Sequence, residues 1–159
     1  MKPADLANRK VKSIANNKKA WHDFEVVSKL ETGIVLTGTE VKSLRAGKCN
    51  FMDAYATFLE KDNFDLYLLN FHISPYDHGN RENHEPKRMR KLLISLREGR
   101  KLKQQVTEKG LTIIPLSIYF SGPFVKVEIG LVRAKKNYDK REDMKEKDSK
   151  REIERKFRV

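Results

Sequence analysis

Apolar residues in this chain fall into six strand-like runs divided by turn residues, with two stretches of helical spacing inserted among them. The first run, residues 21–30, carries Trp21, Phe24, Val26, Val27 and Leu30. The second, residues 33–37, follows Glu31-Thr32-Gly33, so the two read as a hairpin. Gly38 ends the second run. Residues 39–47 then predict a short helix: Thr39 stands at the N-cap, Glu40 complements the positive helix start, and Gly47 is placed for a left-handed stop. Val41 and Leu44 share one face of that helix, and Lys42, Arg45 and Lys48 point outward.

A third run, residues 51–60, and a fourth, residues 64–73, flank a turn at Lys61-Asp62-Asn63. Ser95 and Glu98 form a capping-box pattern ahead of a helix that should reach Lys109 and stop at Gly110. Its narrow stripe of Leu96, Leu102 and Val106 predicts a surface position. Residues 111–120 are the fifth strand, where Pro115 requires an edge or a bulge. Ser121-Gly122-Pro123 turns the chain into the sixth, residues 124–132, in which Val125, Val127, Ile129 and Leu131 alternate with Lys126, Glu128 and Gly130. The pattern predicts a mainly β fold, an oligonucleotide-binding (OB)-like closed antiparallel barrel of about six strands with two or three peripheral helices, because closure removes exposed edges. A β-sandwich is the alternative.

Both ends of the chain leave this pattern. Residues 1–16 are polar and basic and read as a mobile arm leading into a folded domain at residues 17–132. From Arg133 onward the apolar residues are Tyr138, Met144, Ile153 and Phe157, apart from Ala134 and the terminal Val159. So few cannot offset the entropy of ordering, so residues 133–159 predict a basic tail that is disordered alone. Glu146 with Lys150 and Glu152 with Lys156 are spaced to support a helix once a partner holds it.

Net charge sharpens this picture. At +12, the chain attracts polyanions, with nucleic acid the leading partner class and an anionic membrane surface second. The tail lacks the aromatic or leucine face of a membrane-surface helix, and no apolar run is long enough to span a bilayer. The N-terminus lacks an apolar signal core, and Cys49 is the single cysteine, so no intrachain disulfide forms; both fit a reducing, cytoplasmic location.

The stretch between the fourth strand and Leu92 is too long for a simple hairpin connection and is broken by Pro75, Gly79 and Pro86. It gathers Tyr76, His78, Asn80, Arg81, Asn83, His84, Lys87, Arg88, Arg90 and Lys91, the cations, amides and flat rings that suit phosphates and unstacked bases. Catalytic patterns are missing: there is no phosphate-binding GxxxxGK[ST] loop and no GxSxG nucleophile turn. His72, His78 and His84 match no common zinc spacing. His22-Asp23 resembles a base with its orienting acid, but as adjacent strand residues they would face opposite ways. Glu40, among cations, is either a helix-dipole partner or an acceptor for a base edge or a 2′-hydroxyl. The chain therefore predicts no enzyme, no metal and no cofactor.

Four blocks, GIVLTGTEVKSLRAGK (33–48), NFHISPYDHGNRENHEPKRMRKLL (70–93), KVEIGLVRAKKNYDKRED (126–143) and KREIERKF (150–157), resemble the SsrA-binding proteins, also called small protein B. The similarity runs in order from about Asn17 to the C-terminus. It implies a bacterial cytosolic factor of trans-translation, the rescue of ribosomes stalled on messages without a usable stop codon. Such a factor binds the tRNA-like domain of transfer-messenger RNA and accompanies it, indirectly with elongation factor Tu, to the ribosome. Its tail becomes helical in the empty message channel beyond the small-subunit decoding centre. The matching motifs imply RNA contacts at Asn17, Lys18, His22, Glu40, Lys42, Arg45, Asn80, His84, Arg88, Arg90 and Lys91. In the tail they imply ribosome contacts at Lys135, Lys136, Tyr138, Asp139, Lys140, Arg141, Lys150, Arg151 and Arg155. Tyr138 stands where some members carry histidine, and a tyrosine stacks on a base equally well. The expected free form is a monomer. A generic single-stranded RNA- or DNA-binding OB protein is the alternative reading.

Overall fold

The computed structural model describes residues 10–79 and 82–135. Nine strands and three helices occupy these residues: β1 (Val11–Asn16), α1 (Lys18–Asp23), β2 (Phe24–Ile34), α2 (Gly38–Arg45), β3 (Cys49–Asn50), β4 (Tyr55–Phe58), β5 (Leu66–Leu69), β6 (His72–Ile73), β7 (Arg90–Leu93), α3 (Leu96–Lys109), β8 (Thr112–Ser121) and β9 (Phe124–Ala134).

Seven strands form one antiparallel sheet in the order β1-β8-β4-β5-β7-β2-β9, and a further β8–β9 pairing closes six of them into a ring. β1 lies outside that ring. It takes the stretch of the β8 edge beyond the point where β4 has paired at Ile113, running from Asn16 opposite Ser117 to Val11 opposite Ser121. A short β3–β6 ladder stands apart. Because strand side chains alternate, one face of each strand fills the ring interior, where Leu66, Leu68, Leu92, Ile118, Val127 and Ile129 are buried. Leu44 of α2 joins the same cluster with Phe71 and Ile73, and α3 adds Leu102.

The continuous ring agrees with the expected mainly β class, and several local expectations are corrected. Residues 24–34 are one strand, not a hairpin, because the supposed turn is fully paired: Glu31, Thr32 and Gly33 lie opposite Glu128, Val127 and Lys126. Thr32 Oγ1 also donates to the Val127 carbonyl at 2.9 Å. Gly33 is there for close approach, since a Cβ would sit 3.2 Å from the Leu93 Cβ on β7. Trp21 belongs to α1 rather than to a strand. Residues 11–16, expected within a mobile arm, are β1 instead, since pairing with β8 supplies what their polar sequence does not.

Thr37, not Thr39, is the N-cap of α2, which places Glu40 at the third helical position; its Oε1 accepts from the Thr37 N–H at 2.8 Å. The expected strand over 64–73 is split by Asn70, whose φ of +60° ends β5 before β6 begins. The strand expected over 51–60 shortens to Tyr55–Phe58, because Asp53 turns the chain with a φ of +60°. Other local signals hold. Ser95 and Glu98 form the capping box of α3, Gly110 closes it in the left-handed conformation, and the register shifts between Pro115 and Ser117 as a bulge.

Candidate nucleic-acid interface

The long connection from β6 to β7 is fastened at its base from several directions. Arg90 opens β7 and is fully buried, its Nε donating to the equally buried Glu40 carboxylate. Its remaining donors reach the Phe71 carbonyl at 2.6 Å and the Pro86 carbonyl at 3.0 Å. Arg88 reaches the same carboxylate from the surface side, with Nη2 2.5 Å and Nε 3.1 Å from Glu40 Oε1. One helix-start glutamate thus holds two arginines from the far end of the loop. Burial pushes the Glu40 carboxyl up, but hydrogen bonds from Arg88, the Thr37 N–H and Arg90 outweigh it and hold the carboxyl below the ordinary carboxylate value. For Arg90, burial lowers proton affinity and the Glu40 bond works against that.

A second tie runs through His84, which is buried. Its Nε2 lies 2.8 Å from the Ile73 carbonyl, so Nε2 carries the proton, and its Nδ1 lies 2.9 Å from Thr39 Oγ1 on α2. Within the loop the Asn83 side chain copies a strand pairing, accepting from the Tyr76 N–H at 2.9 Å and donating to the Tyr76 carbonyl at 2.7 Å. Lys48 pairs with Asp77 at 2.9 Å. The described part of the loop is therefore a pre-set surface, and little ordering remains to be done when a ligand arrives.

What that surface exposes is cationic and flat. Lys42 holds its Nζ 5.2 Å from the Tyr76 ring centroid, and Tyr76 meets His78 edge-on at 5.5 Å. A cleft of about 340 Å³ opens among Thr37, Thr39, Lys42, Tyr76, His78 and Glu82. On the adjoining outer strand face Lys91 neighbours Val35, whose N–H donates to its carbonyl at 3.0 Å, and Leu93 lies opposite Gly33. Val35, Met89 and Leu93 are exposed there although large and apolar. Cations beside uncovered apolar groups suit a sugar–phosphate strand with splayed bases.

The expected contact residues separate under this geometry. Lys42, Lys91 and the half-buried Arg88 border the surface. Glu40, Arg90 and His84 do not: they are buried, and their polar atoms bond inside the protein. Asn17 is likewise committed, as the N-cap of α1, with Oδ1 accepting from Ala20 N–H at 3.3 Å and Nδ2 donating to the Pro115 carbonyl at 2.8 Å. Arg45 sits at the other end of α2, in a cleft of about 630 Å³ with Lys10, Lys12 and Phe120. Lys18 borders a third, of about 680 Å³, with Lys19, Met52 and Tyr55. His22 is in α1, and its Nδ1 lies 2.9 Å from Asp23 Oδ1, contrary to the expected opposite orientation, because the pair is helical. Asn80 and the tail positions from Lys136 onward lie outside the described residues. Sequence reading missed Val35 and Leu93; strand parity around the buried Leu92 would have pointed to Leu93.

A family model described as SmpB protein matches residues 14–159. The chain belongs to the SmpB family. The relatives it resembles include SsrA-binding proteins of Carboxydothermus hydrogenoformans, 52% identical over 148 residues (93% of this chain, 97% of the relative), and of Bacillus subtilis, 51% identical over 147 residues (92% of each). That of Geotalea uraniireducens is 55% identical over 142 residues (89% of this chain, 92% of the relative). One chain of a solved structure described as "tmRNA-SmpB: a journey to the center of the bacterial ribosome" superposes with a TM-score of 0.65 at 47% identity, covering 77% of this chain and 85% of the other. The SmpB match begins inside β1 and runs through the rest of the sheet, the fastened loop and residues 133–159.

Proposed function

We propose that this protein is the RNA-binding adaptor of trans-translation, a non-enzymatic, cytoplasmic factor. It binds the tRNA-like domain of transfer-messenger RNA and delivers it to stalled ribosomes. The six-strand ring is an OB-type barrel, and the loop and outer face of residues 74–93, with Lys42 of α2, grip the RNA. The observation that carries this reading is the loop fastened by Arg88 and Arg90 on Glu40 beside the exposed Lys42 and Lys91, a cationic surface suited to shape and phosphates. Relatives are SsrA-binding proteins, and the matched solved structure concerns tmRNA-SmpB and the bacterial ribosome.

The tail is the second surface. Lys135, Lys136, Tyr138, Asp139, Lys140, Arg141, Lys150, Arg151 and Arg155 follow the small-subunit decoding centre into an empty message channel and coil into a helix there. An occupied channel withholds the contacts that offset the cost of ordering, so recognition is conditional on vacancy. Elongation factor Tu takes part indirectly through the shared RNA.

Deleting the residues after Arg133 tests the division of labour. Transfer-messenger RNA binding should remain nearly intact while tagging on stalled ribosomes is lost; equal loss of both would overturn it. An unstructured oligonucleotide that displaces the tRNA-like domain as well as the domain displaces itself would instead favour a generic single-strand binder.

A further inference from the structure

Trp21 is the sole tryptophan of the chain, and 45% of its surface is open to solvent. Single exposed apolar residues are common and need no explanation. This one is framed by cations. Lys29 Nζ lies 4.7 Å from the ring centroid, and Lys135 Nζ donates to the Trp21 carbonyl at 3.2 Å. Lys18 and Lys19 are exposed on the same short helix. The nearby acids are engaged: Asp23 with His22 at 2.9 Å, and Glu25 with Arg133 at 3.6 Å. The Lys135 N–H donates to the Asp23 carbonyl at 3.0 Å and ties the end of β9 to α1 beside the ring.

We propose that Trp21, backed by Lys29 and Lys135, is a stacking site for a base of single-stranded RNA. Lysines alone would suit any polyanion, an acidic peptide included; an uncovered indole among them adds the π-face that bases use. The site is separate from the loop face. β2 begins just after Trp21 and ends beside Val35 and Lys91, and its 11 residues span roughly 35 Å. The nucleotides gripped by the loop therefore cannot also lie on Trp21. This deepens the RNA-binding reading and rests on it for the class of ligand: it adds a second strand contact where the tail departs.

The test uses the full chain, with an unstructured oligoadenylate of about ten nucleotides and the isolated tRNA-like RNA as separate probes. Trp21 emission should be quenched saturably by the oligoadenylate. By anisotropy of the labelled oligomer, Trp21→Ala should bind it about 10-fold more weakly and Trp21→Phe within about threefold of wild type. Both variants should bind the tRNA-like RNA as wild type does. Oligomer binding without a change in emission, or equal affinity of Trp21→Ala, would overturn the site. So would equal quenching by polyglutamate, which would make an acidic protein the partner, or a change in emission that follows removal of residues 136–159 and not addition of RNA. Quenching by the oligomer in a protein that ignores the tRNA-like RNA would count against the proposed function and leave this site standing.

Discussion

Arg90 and Glu40 meet where neither touches solvent: the strand-opening arginine donates into the carboxylate at the start of α2, and Arg88 closes the other side of that carboxylate. Fifty positions apart in sequence, they join the two ends of the loop surface to the helix that plugs the ring. Charges this deep are tolerated because every donor and acceptor finds a partner, and no buried polar side-chain atom among the described residues is left without one.

Removing one partner should cost more than the pair contributes. Glu40→Gln or Arg90→Met is expected to lower the unfolding free energy in urea by about 3–5 kcal/mol. The double variant should lose less than the sum of the two, since no lone charge is then buried. Additive losses would show that the two residues act apart.

The same pair sets a pH dependence. Glu40 titrates below its reference value of 4.5 in the folded protein. Its stabilisation is therefore complete above 4.5 and is lost as pH falls through the lower, folded value. Stability measured between pH 6 and about 3 should fall on the acid side in wild type, and the fall should be shallower in Glu40→Gln. Parallel curves would assign the acid sensitivity to other carboxylates.

Neighbouring cations of the loop should behave differently. Lys91→Ala should leave stability nearly unchanged and weaken RNA binding, reducing the slope of log affinity against log salt by about 0.7–0.9 for each phosphate that the lysine no longer neutralises. Arg90→Ala should act through stability. An unchanged slope in Lys91→Ala would show that this lysine meets no phosphate.

This contrast marks the limit of what the sequence discloses. Arg90 and Lys91 are adjacent cations in the same run; alternation with Leu92 puts Arg90 on the inward face, but what lets an arginine stay there is a glutamate fifty residues earlier. Gly33 misleads for the same reason, since Glu-Thr-Gly has turn chemistry until β9 and β7 pair on either side of it. The polar residues 11–16 carry no strand signal of their own and become β1 by occupying a vacant edge of β8. Features decided within a few residues were legible: the Ser95–Glu98 capping box, Gly110, the bulge at Pro115 and the alternation of β9. The cationic loop was legible as chemistry, while its split into exposed and supporting residues depended on contacts across the fold.

Lys103 offers a further case of a cation turned to structure. From α3 its Nζ donates to the carbonyls of Glu60, Lys61 and Asn63 at 2.9, 2.8 and 2.7 Å and lies 5.3 Å from the Phe64 ring centroid. It clasps the turn between β4 and β5 to the helix. Lys103→Met should cost about 2 kcal/mol and speed amide exchange at residues 60–64, leaving RNA affinity within twofold. Unaltered exchange would mean that the turn is held by its own backbone.

Cys49 reports on the loop from within. It pairs with Ile73 in the β3–β6 ladder, beside the carbonyl that His84 holds, and burial pushes its thiol up to about 11. Only the thiolate is alkylated, so at pH 8 iodoacetamide should label the folded protein about 100-fold more slowly than a free cysteine. The rate should climb about tenfold per pH unit and level off only near 11. Since this is the sole cysteine, the label reads one place. If labelling instead proceeds through brief opening of the β3–β6 ladder, the rate will follow the population of the open form. In that case Glu40→Gln, which frees the loop base, should raise it well above wild type at the same pH, and bound transfer-messenger RNA should suppress it. A rate that matches free thiol in the folded wild type would contradict the partly buried setting of Cys49 and the firmness ascribed to the loop beside it.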